Sequence, residues 1–462
     1  MNNLDVKADF IDQKLGSSKL TVKEKVSYGL GDAGCAFAMT TVYQYLMFFY
    51  TDVFGISIAA VGTLFLVARI WDAVNDPIIG GMIDKSNPKR GKYRSPLFYG
   101  CIPLATFSIL CFTAPDLSQT GKLVYAYITY IGAGMLYTYV NTSYSSLTSV
   151  MTDSPSERTS ITTYRMYIAC IGNVLLSIGL PMMVAYFGKE SAGKGYQIAA
   201  IVFAGISVLL FLTTYFNCKE RVRIPSEKVS FKDMFRTVVS NKPLLLLCLI
   251  FIVVFNNVTI STSVGMYYIK YNVGREDLTS IFILFTSLPG LISLAIMPYL
   301  VKKVGKKQLL ILGTIVSMIG LAGLYIFSAK GLFLVFASRF VAGFGATLIM
   351  ALIWDMVPDT IDYGEYTTGK RLAAINNAAV GFFFKIGTAL AGIIPGFILD
   401  RAGYVPNTVQ TPQALDAIKF TLAGVPFIFF VIALIPMFIY KLDNKECERI
   451  ANDLKGRRLN RG

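Results

Sequence analysis

Residues 70–80 read I-W-D-A-V-N-D-P-I-I-G. Asp72 and Asp76 are four positions apart, so on a helix they share one face, with Asn75 beside them and Arg69 one turn earlier. The run leading in, Val61 to Ala68, is almost wholly apolar. In a bilayer each such charge costs about 2.5–3.5 kcal/mol on insertion scales. Two carboxylates at that spacing repel, and burial adds to the cost of ionising both. A bound cation relieves both penalties at once. Carboxylate, amide and hydroxyl oxygens suit a hard cation such as Na+, and a proton could serve in its place. The structural alternative is an Arg69–Asp72 ion pair with Asp76 capping a helix end. It leaves the second aspartate and the asparagine without a purpose.

The elements that position such a cluster must be membrane helices. Hydrophobic residues make up 54% of the chain and charged ones only 15%, against about 25% charged in soluble domains. Apolar runs long enough to span, near twenty residues each, recur along all 462 residues. Twelve are expected, at 27–50, 58–83, 96–114, 122–150, 162–186, 197–216, 244–269, 278–300, 308–328, 331–357, 373–399 and 417–440. The expected fold is therefore an all-α membrane protein, with 1–217 as a first six-helix bundle and 218–243 as a basic linker. A second bundle over 244–440 and a tail over 441–462 complete it. No cleavable signal is expected, because the first 25 residues are polar and basic and the first span is too long for a signal core.

A net charge of +15 could suggest nucleic acid, but its distribution argues for topology instead. Lys and Arg crowd alternate loops, including 85–94, 219–242, 302–307 and 441–461. By the positive-inside rule these face the cytoplasm, which puts both termini there in a multi-pass protein of the cell membrane, among its lipids. No nucleic-acid partner is expected. Seven scattered cysteines without a C-x-x-C pair read as packing residues, and histidine is absent. Without the commonest general base and metal ligand, and with no catalytic pair in view, an enzyme is not expected. No cofactor is expected either, and no metal beyond a coupling cation. A short basic turn follows span two (81–94) and again span eight (298–307). The same device at the same place in both halves suggests two related bundles, as in transporters built from internal repeats.

V-A-R-I-W-D-A-V-N-D-P (67–77) resembles the second-helix signature of the glycoside–pentoside–hexuronide:cation symporters of the major facilitator superfamily. Y-G-L-G-D (28–32), F-Y-T-D-V-F-G (49–55), D-T-I-D-Y-G-E-Y-T-T-G-K-R (359–371) and G-Y-V-P-N-T-V-Q-T-P-Q-A-L (403–415) are also similar, so the likeness covers nearly the whole chain. The resemblance implies a cation site at Asp72, Asn75, Asp76 and Thr138. It implies a sugar site that includes Asn141, Arg165 and Lys385, the last facing the acidic cluster. Tyr137, Tyr144 and Trp354 lie near those residues in sequence and are candidate contacts. Where the melibiose branch holds galactosyl hydroxyls with two aspartates, this chain has Ala36 and Asn141, and Ser145 stands at its aromatic platform. Asn141 can donate and accept hydrogen bonds but supplies no charge. The sequence thus stands closer to the glucuronide and pentoside branches. Asp359 and Asp362, with Arg371, are expected to form a cytoplasmic gate.

The expected function is cation-coupled symport, with Na+ or H+, importing a glycoside, pentoside or hexuronide by alternating access. An exporter of the same fold for another small molecule is the alternative.

Overall fold

In the computed structural model, residues 20–86, 88, 90–152, 155–221, 231–328, 331–369 and 372–459 are described. The chain divides into two compact units, Met1–Ser226 and Glu227–Gly462. In the first, α1 (Val22–Cys35) runs through a π turn at Ala36–Thr40 into α2 (Thr41–Phe48) and a second π turn at Phe49–Val53. It continues with α3 (Ile58–Lys85), α4 (Arg94–Cys111), α5 (Gln119–Met151), α6 (Pro155–Phe187) and α7 (Ala192–Asn217). The second opens with the short α8 (Phe231–Ser240) and α9 (Lys242–Ser263), then α10 (Thr279–Val304) and α11 (Lys306–Ile326). Next come α12 (Leu332–Thr368), α13 (Ala373–Arg401), α14 (Pro412–Lys419), α15 (Val425–Ile439) and α16 (Asn444–Leu459).

Ten helices among the described residues are long and apolar enough to cross a membrane. At the two remaining expected positions stand the helical stretch 22–53, interrupted by its π turns, and the 18-residue α4. Helix ends are set by ordinary chemistry. Ser57, Ser118, Asn241 and Thr411 each accept a first-turn amide with a side-chain oxygen. Prolines stand inside α4, α6, α10, α12, α13 and α15, as membrane helices tolerate where packed neighbours can re-satisfy the freed carbonyls. Large apolar side chains such as Leu209, Phe216, Ile319 and Ile435 stand exposed on their helices. That pattern suits helices whose outer faces meet lipid chains.

Within the first unit α3 packs on α5, α4 on α5 and α7, and α1 on α6 and α7. Within the second, α12 packs on α10 and α11, and α9 on α13 and α15. The two units repeat one device. A π turn, Phe49–Val53 in one and Tyr268–Val273 in the other, precedes a glycine with positive φ, Gly55 at 77° and Gly274 at 70°. Only glycine takes that conformation without steric cost, so each unit stops its first long helix the same way. Helix α12 outruns its expected span of 331–357. Its 37 residues reach about 55 Å at 1.5 Å per residue, against a hydrocarbon core of about 30 Å. A helix that long exceeds the hydrocarbon core, and its acidic residues Asp355, Asp359, Asp362 and Glu365 all fall in its last turns.

One end of the first unit is tied by charge. Glu24 closes a capping box with Thr21 and takes the Arg221 guanidinium, while Lys25 pairs with Glu157 at 2.9 Å. Burial alone would raise the Glu24 pKa, but the Thr21 amide and Arg221 outweigh it and hold the carboxyl below its ordinary value. A depressed carboxyl contributes stability above its unfolded pKa and loses it as pH falls through the folded one. Arg221→Met should therefore strand the carboxylate at a cost of about 1–3 kcal/mol. The apparent melting temperature of the purified protein should drop by several degrees at neutral pH, and the gap to wild type should narrow on acidification below the carboxylate range. An unchanged melting temperature at neutral pH would contradict this account of the tie.

Candidate functional site

The acidic stretch lies on α3, and α5 runs alongside it. Arg69 Nη1 donates to Asp72 Oδ2 at 2.9 Å, and Arg69 Nη2 donates to the Tyr130 hydroxyl of α5 at 3.2 Å. The same guanidinium sits 4.8 Å from the centre of the Tyr43 ring, a favourable cation–π placement. Asp72 Oδ1 lies where a Cβ on Gly134 would approach to 3.2 Å, so glycine at that point of α5 lets the carboxylate lie against the helix. One turn on, Thr138 Oγ1 donates to Asp76 Oδ1 at 2.9 Å. Asn75 is buried, and its amide nitrogen has no hydrogen-bond partner among the described residues. The Arg69–Asp72 pair left open by the sequence is therefore present. It does not absorb Asp76, which a hydroxyl of another helix engages. Two carboxylates, an amide and a hydroxyl share one stretch of the α3–α5 seam, and these are oxygen donors of the kinds a hard cation takes.

Asn141 comes three residues after Thr138, so it stacks on the next turn of α5. The Cys35 thiol donates to Asn141 Oδ1 at 3.6 Å. Tyr137 meets Tyr43 edge to face with ring centres 6.3 Å apart, and Tyr43 in turn carries Arg69. Arg165 of α6 reaches Asp32 of α1, with Nε and Nη2 both 3.1 Å from Oδ1. Among the described residues nothing bonds to Oδ2, and the Asp32 side chain keeps about 20% of its surface exposed. Tyr144 is fully buried. It stacks on Tyr28 at 4.7 Å, gives its hydroxyl proton to the Tyr28 carbonyl at 2.8 Å and lies under the Arg165 guanidinium. It thus packs beneath the Arg165 guanidinium, with its ring and hydroxyl both engaged.

The remaining candidates lie in the second unit. Trp354, 41% exposed, packs edge-on against Phe251 and Phe255. Phe255 meets Phe384, the neighbour of half-buried Lys385 on α13. Asp359 takes the Lys306 ammonium at 2.7 Å, shared with Asp355 at 3.2 Å, so the basic turn at the start of α11 is latched to the acidic end of α12. Asp362 stands on the same helix end. Arg371 lies outside the described residues. Cys35, Tyr43 and Tyr130 lie beside the candidate residues without having been expected there, whereas Asp32, one turn before Ala36 on the first helix, reads from the sequence as a cavity residue or an exposed near-terminal one. That spacing is the signal the sequence offers.

The profile of the family described as "MFS/sugar transport protein" matches residues 27–444. The chain is 42% identical over 443 residues to the "Uncharacterized symporter YnaJ" of Bacillus subtilis (strain 168), covering 95% of this chain and 96% of that one. It is 37% identical to the "Isoprimeverose transporter" of Lactiplantibacillus pentosus, over 93% and 90% of the two chains. A relative of 30% identity in Escherichia coli (strain K12), over 95% and 97%, is named "Putative 2,3-dihydroxypropane-1-sulfonate exporter". A solved bacterial homologue of the human lysosomal transporter Spinster superposes with a TM-score of 0.65 at 13% identity, over 91% and 95%, a likeness of fold.

The Asp32–Arg165 contact yields a prediction independent of any substrate. Asp32→Asn and Arg165→Gln should each lower the apparent unfolding temperature by more than the double variant does. The coupling should be roughly 1–2 kcal/mol, between the values for exposed pairs and for charged buried bonds. Strictly additive losses in the double-mutant cycle would show that the pair is incidental.

Proposed function

The chain belongs to the MFS/sugar transport protein family, among the glycoside–pentoside–hexuronide:cation symporters, and from that premise we propose that it imports a glycoside together with Na+ or H+. The cation is held at Asp72, Asn75, Asp76 and Thr138. Sugar hydroxyls are held by Asn141, Tyr137, Arg165 and its partner Asp32, and Lys385 and Trp354 are further proposed sugar contacts. The membrane is the cytoplasmic one, and both termini lie inside.

The observation that carries this reading is the Thr138–Asp76 bond at 2.9 Å, one turn of α5 away from Asn141. A cation that draws in the Asp76 carboxylate pulls on Thr138, and Thr138 cannot move without turning the helix that presents Asn141. Two adjacent sites then share one binding free energy, which is what coupling requires. Arg69 adds a second link. If the cation competes for Asp72, the guanidinium shifts on the Tyr43 ring, and Tyr43 is packed against Tyr137. The Lys306–Asp355–Asp359 latch is read as part of the cytoplasmic gate, together with Asp362 and Arg371.

The relative named as an exporter supports a second reading, outward transport of a small acid by the same machinery. Imposed gradients in proteoliposomes separate the two, because a symporter accumulates sugar only when the cation gradient points inward. With labelled isoprimeverose and a labelled methyl glucuronide as probes, Asp76→Asn should lower gradient-driven accumulation at least tenfold and spare sugar exchange. Thr138→Val should raise the cation concentration for half-maximal uptake roughly three- to tenfold, about 0.7–1.4 kcal/mol for one hydroxyl ligand. Full concentrative uptake by Asp76→Asn would sink the coupling site.

Lys385, a charge inside a membrane span, is proposed to serve the return of the empty carrier. Lys385→Val should then slow net uptake, which needs the empty carrier to return, far more than exchange, which does not. Equal loss of both would assign Lys385 to the sugar site alone.

A further inference from the structure

Arg339 is 2% exposed, yet the transport reading gives it no task. It stands two turns into α12 and reaches both neighbouring helices. Nη1 donates to Ser261 Oγ, and Nη2 donates to the Ser261 carbonyl at 2.9 Å and to Thr286 Oγ1 at 2.6 Å. The guanidinium lies 4.7 Å from the centre of the Phe282 ring on α10. Every one of these acceptors is neutral. Among the described residues no carboxylate touches Arg339, and its Nε has no partner. A buried charge without a counter-charge is expensive to keep, and a methionine would fill the same space without that expense. The guanidinium must supply something that packing cannot.

The Ser261 carbonyl identifies what that is. Helix α9 stops at Ser263, the chain leaves the helix at Val264, and helix resumes only over Gly265–Tyr267 before widening into the π turn Tyr268–Val273. The Val264 amide still reaches the Ile260 carbonyl at 2.9 Å. The next rung, from the Gly265 amide to the Ser261 carbonyl, falls at that interruption. Arg339 donates to that carbonyl instead. A main-chain acceptor freed by a helix break inside a membrane has no water to turn to, so the guanidinium both satisfies it and occupies the place into which the ladder would close. The end segment is also tied to the same point, because Tyr268 packs on Phe282 with ring centres 5.8 Å apart.

We propose that Arg339 is a positioning residue that holds the seventh membrane helix open at the Val264–Gly265 joint, so that the segment 265–273 turns as a separate piece during transport. This rests on the transporter reading but not on the identity of the substrate. The guanidinium bridges Ser261 of α9 to Thr286 of α10 and keeps α9 packed on α12 below the joint while the piece beyond it moves, with Tyr268 sliding on Phe282. Closing the missing rung would make the helix continuous and remove the joint.

The test uses the full-length transporter in proteoliposomes, with labelled isoprimeverose as the probe and hydrogen exchange read over 261–268. Arg339→Met should cut turnover at least tenfold, leave the KM within about threefold, and slow exchange over this segment as the rung closes. Arg339→Lys, which can still donate to the carbonyl, should recover at least a third of wild-type turnover. Ser261→Ala removes the hydroxyl and keeps the carbonyl, so it should transport near normally. Unchanged turnover in Arg339→Met would overturn the proposal. So would Arg339→Lys that folds yet is no better than Arg339→Met, or faster exchange throughout the unit, the mark of simple loss of packing. Should Arg339→Met fail to fold, Arg339→Lys and Ser261→Ala decide. Wild type that does not carry the sugar, with exchange over 261–268 still slowed in Arg339→Met, would retire the sugar reading and leave this one standing.

Discussion

A charge inside a bilayer persists only where another group shares it, and the first unit is organised around that constraint. Arg69 holds Asp72, Thr138 holds Asp76, and Arg165 holds Asp32. The first lies within α3, the second joins α5 to α3, and the third joins α6 to α1. Two of the three involve the α3–α5 seam, where the Gly134 position admits a carboxylate against the neighbouring helix. The aromatic residues answer to the same constraint. Tyr43, Tyr130 and Tyr144 offer ring faces or hydroxyls to the guanidinium groups, and so allow arginines to stay charged where water is scarce.

The second unit meets the constraint differently. Its buried arginine, Arg339, finds only carbonyl and hydroxyl oxygens and a phenyl face. Nothing in that set is acidic, so nothing there exchanges a proton or gains from a cation. The acidic side chains among the candidate residues of the first unit lie on α3 and α1. The arginine of the second unit is fixed in place by neutral partners, suited to holding a backbone joint. Latching by Lys306 to Asp355 and Asp359 adds a third use of charge, at the acidic end of α12.

Much of the fold is legible in the sequence because the bilayer writes it in hydropathy. Runs near twenty apolar residues mark the helices, and the two basic turns mark the repeat. The stretch 22–53 is harder to read. Two π turns insert extra residues, so spacing counted at 3.6 per turn assigns the wrong face to the residues beyond each turn. That is one physical reason why Tyr43, beyond the Ala36–Thr40 turn, is hidden to periodicity while Asp72 and Asp76 are not. Residues on α3 keep regular spacing, and the four proposed cation ligands are legible from their types and from resemblance. Asp32 is legible as a cavity residue or an exposed one, but its partner is not, because Arg165 stands 133 positions away, a pairing no local pattern contains. Arg339 sits in the apolar run L-F-L-V-F-A-S-R-F-V, and an unmatched arginine there is itself a signal. What it does depends on a break in another helix, which hydropathy cannot register.

Cation and sugar, on this account, share one binding free energy through α5. Reciprocity makes this directly measurable, since linkage requires each ligand to change the affinity of the other by the same factor. Equilibrium titration of the purified transporter with Na+, or with protons, in the absence and presence of saturating sugar gives one factor. Titration with sugar in the absence and presence of the cation gives the other. The account predicts that the two factors agree, at roughly 5- to 150-fold, and that both fall to one in Asp76→Asn with the protein still folded. Tight sugar binding by the wild type that neither Na+ nor pH alters would contradict it.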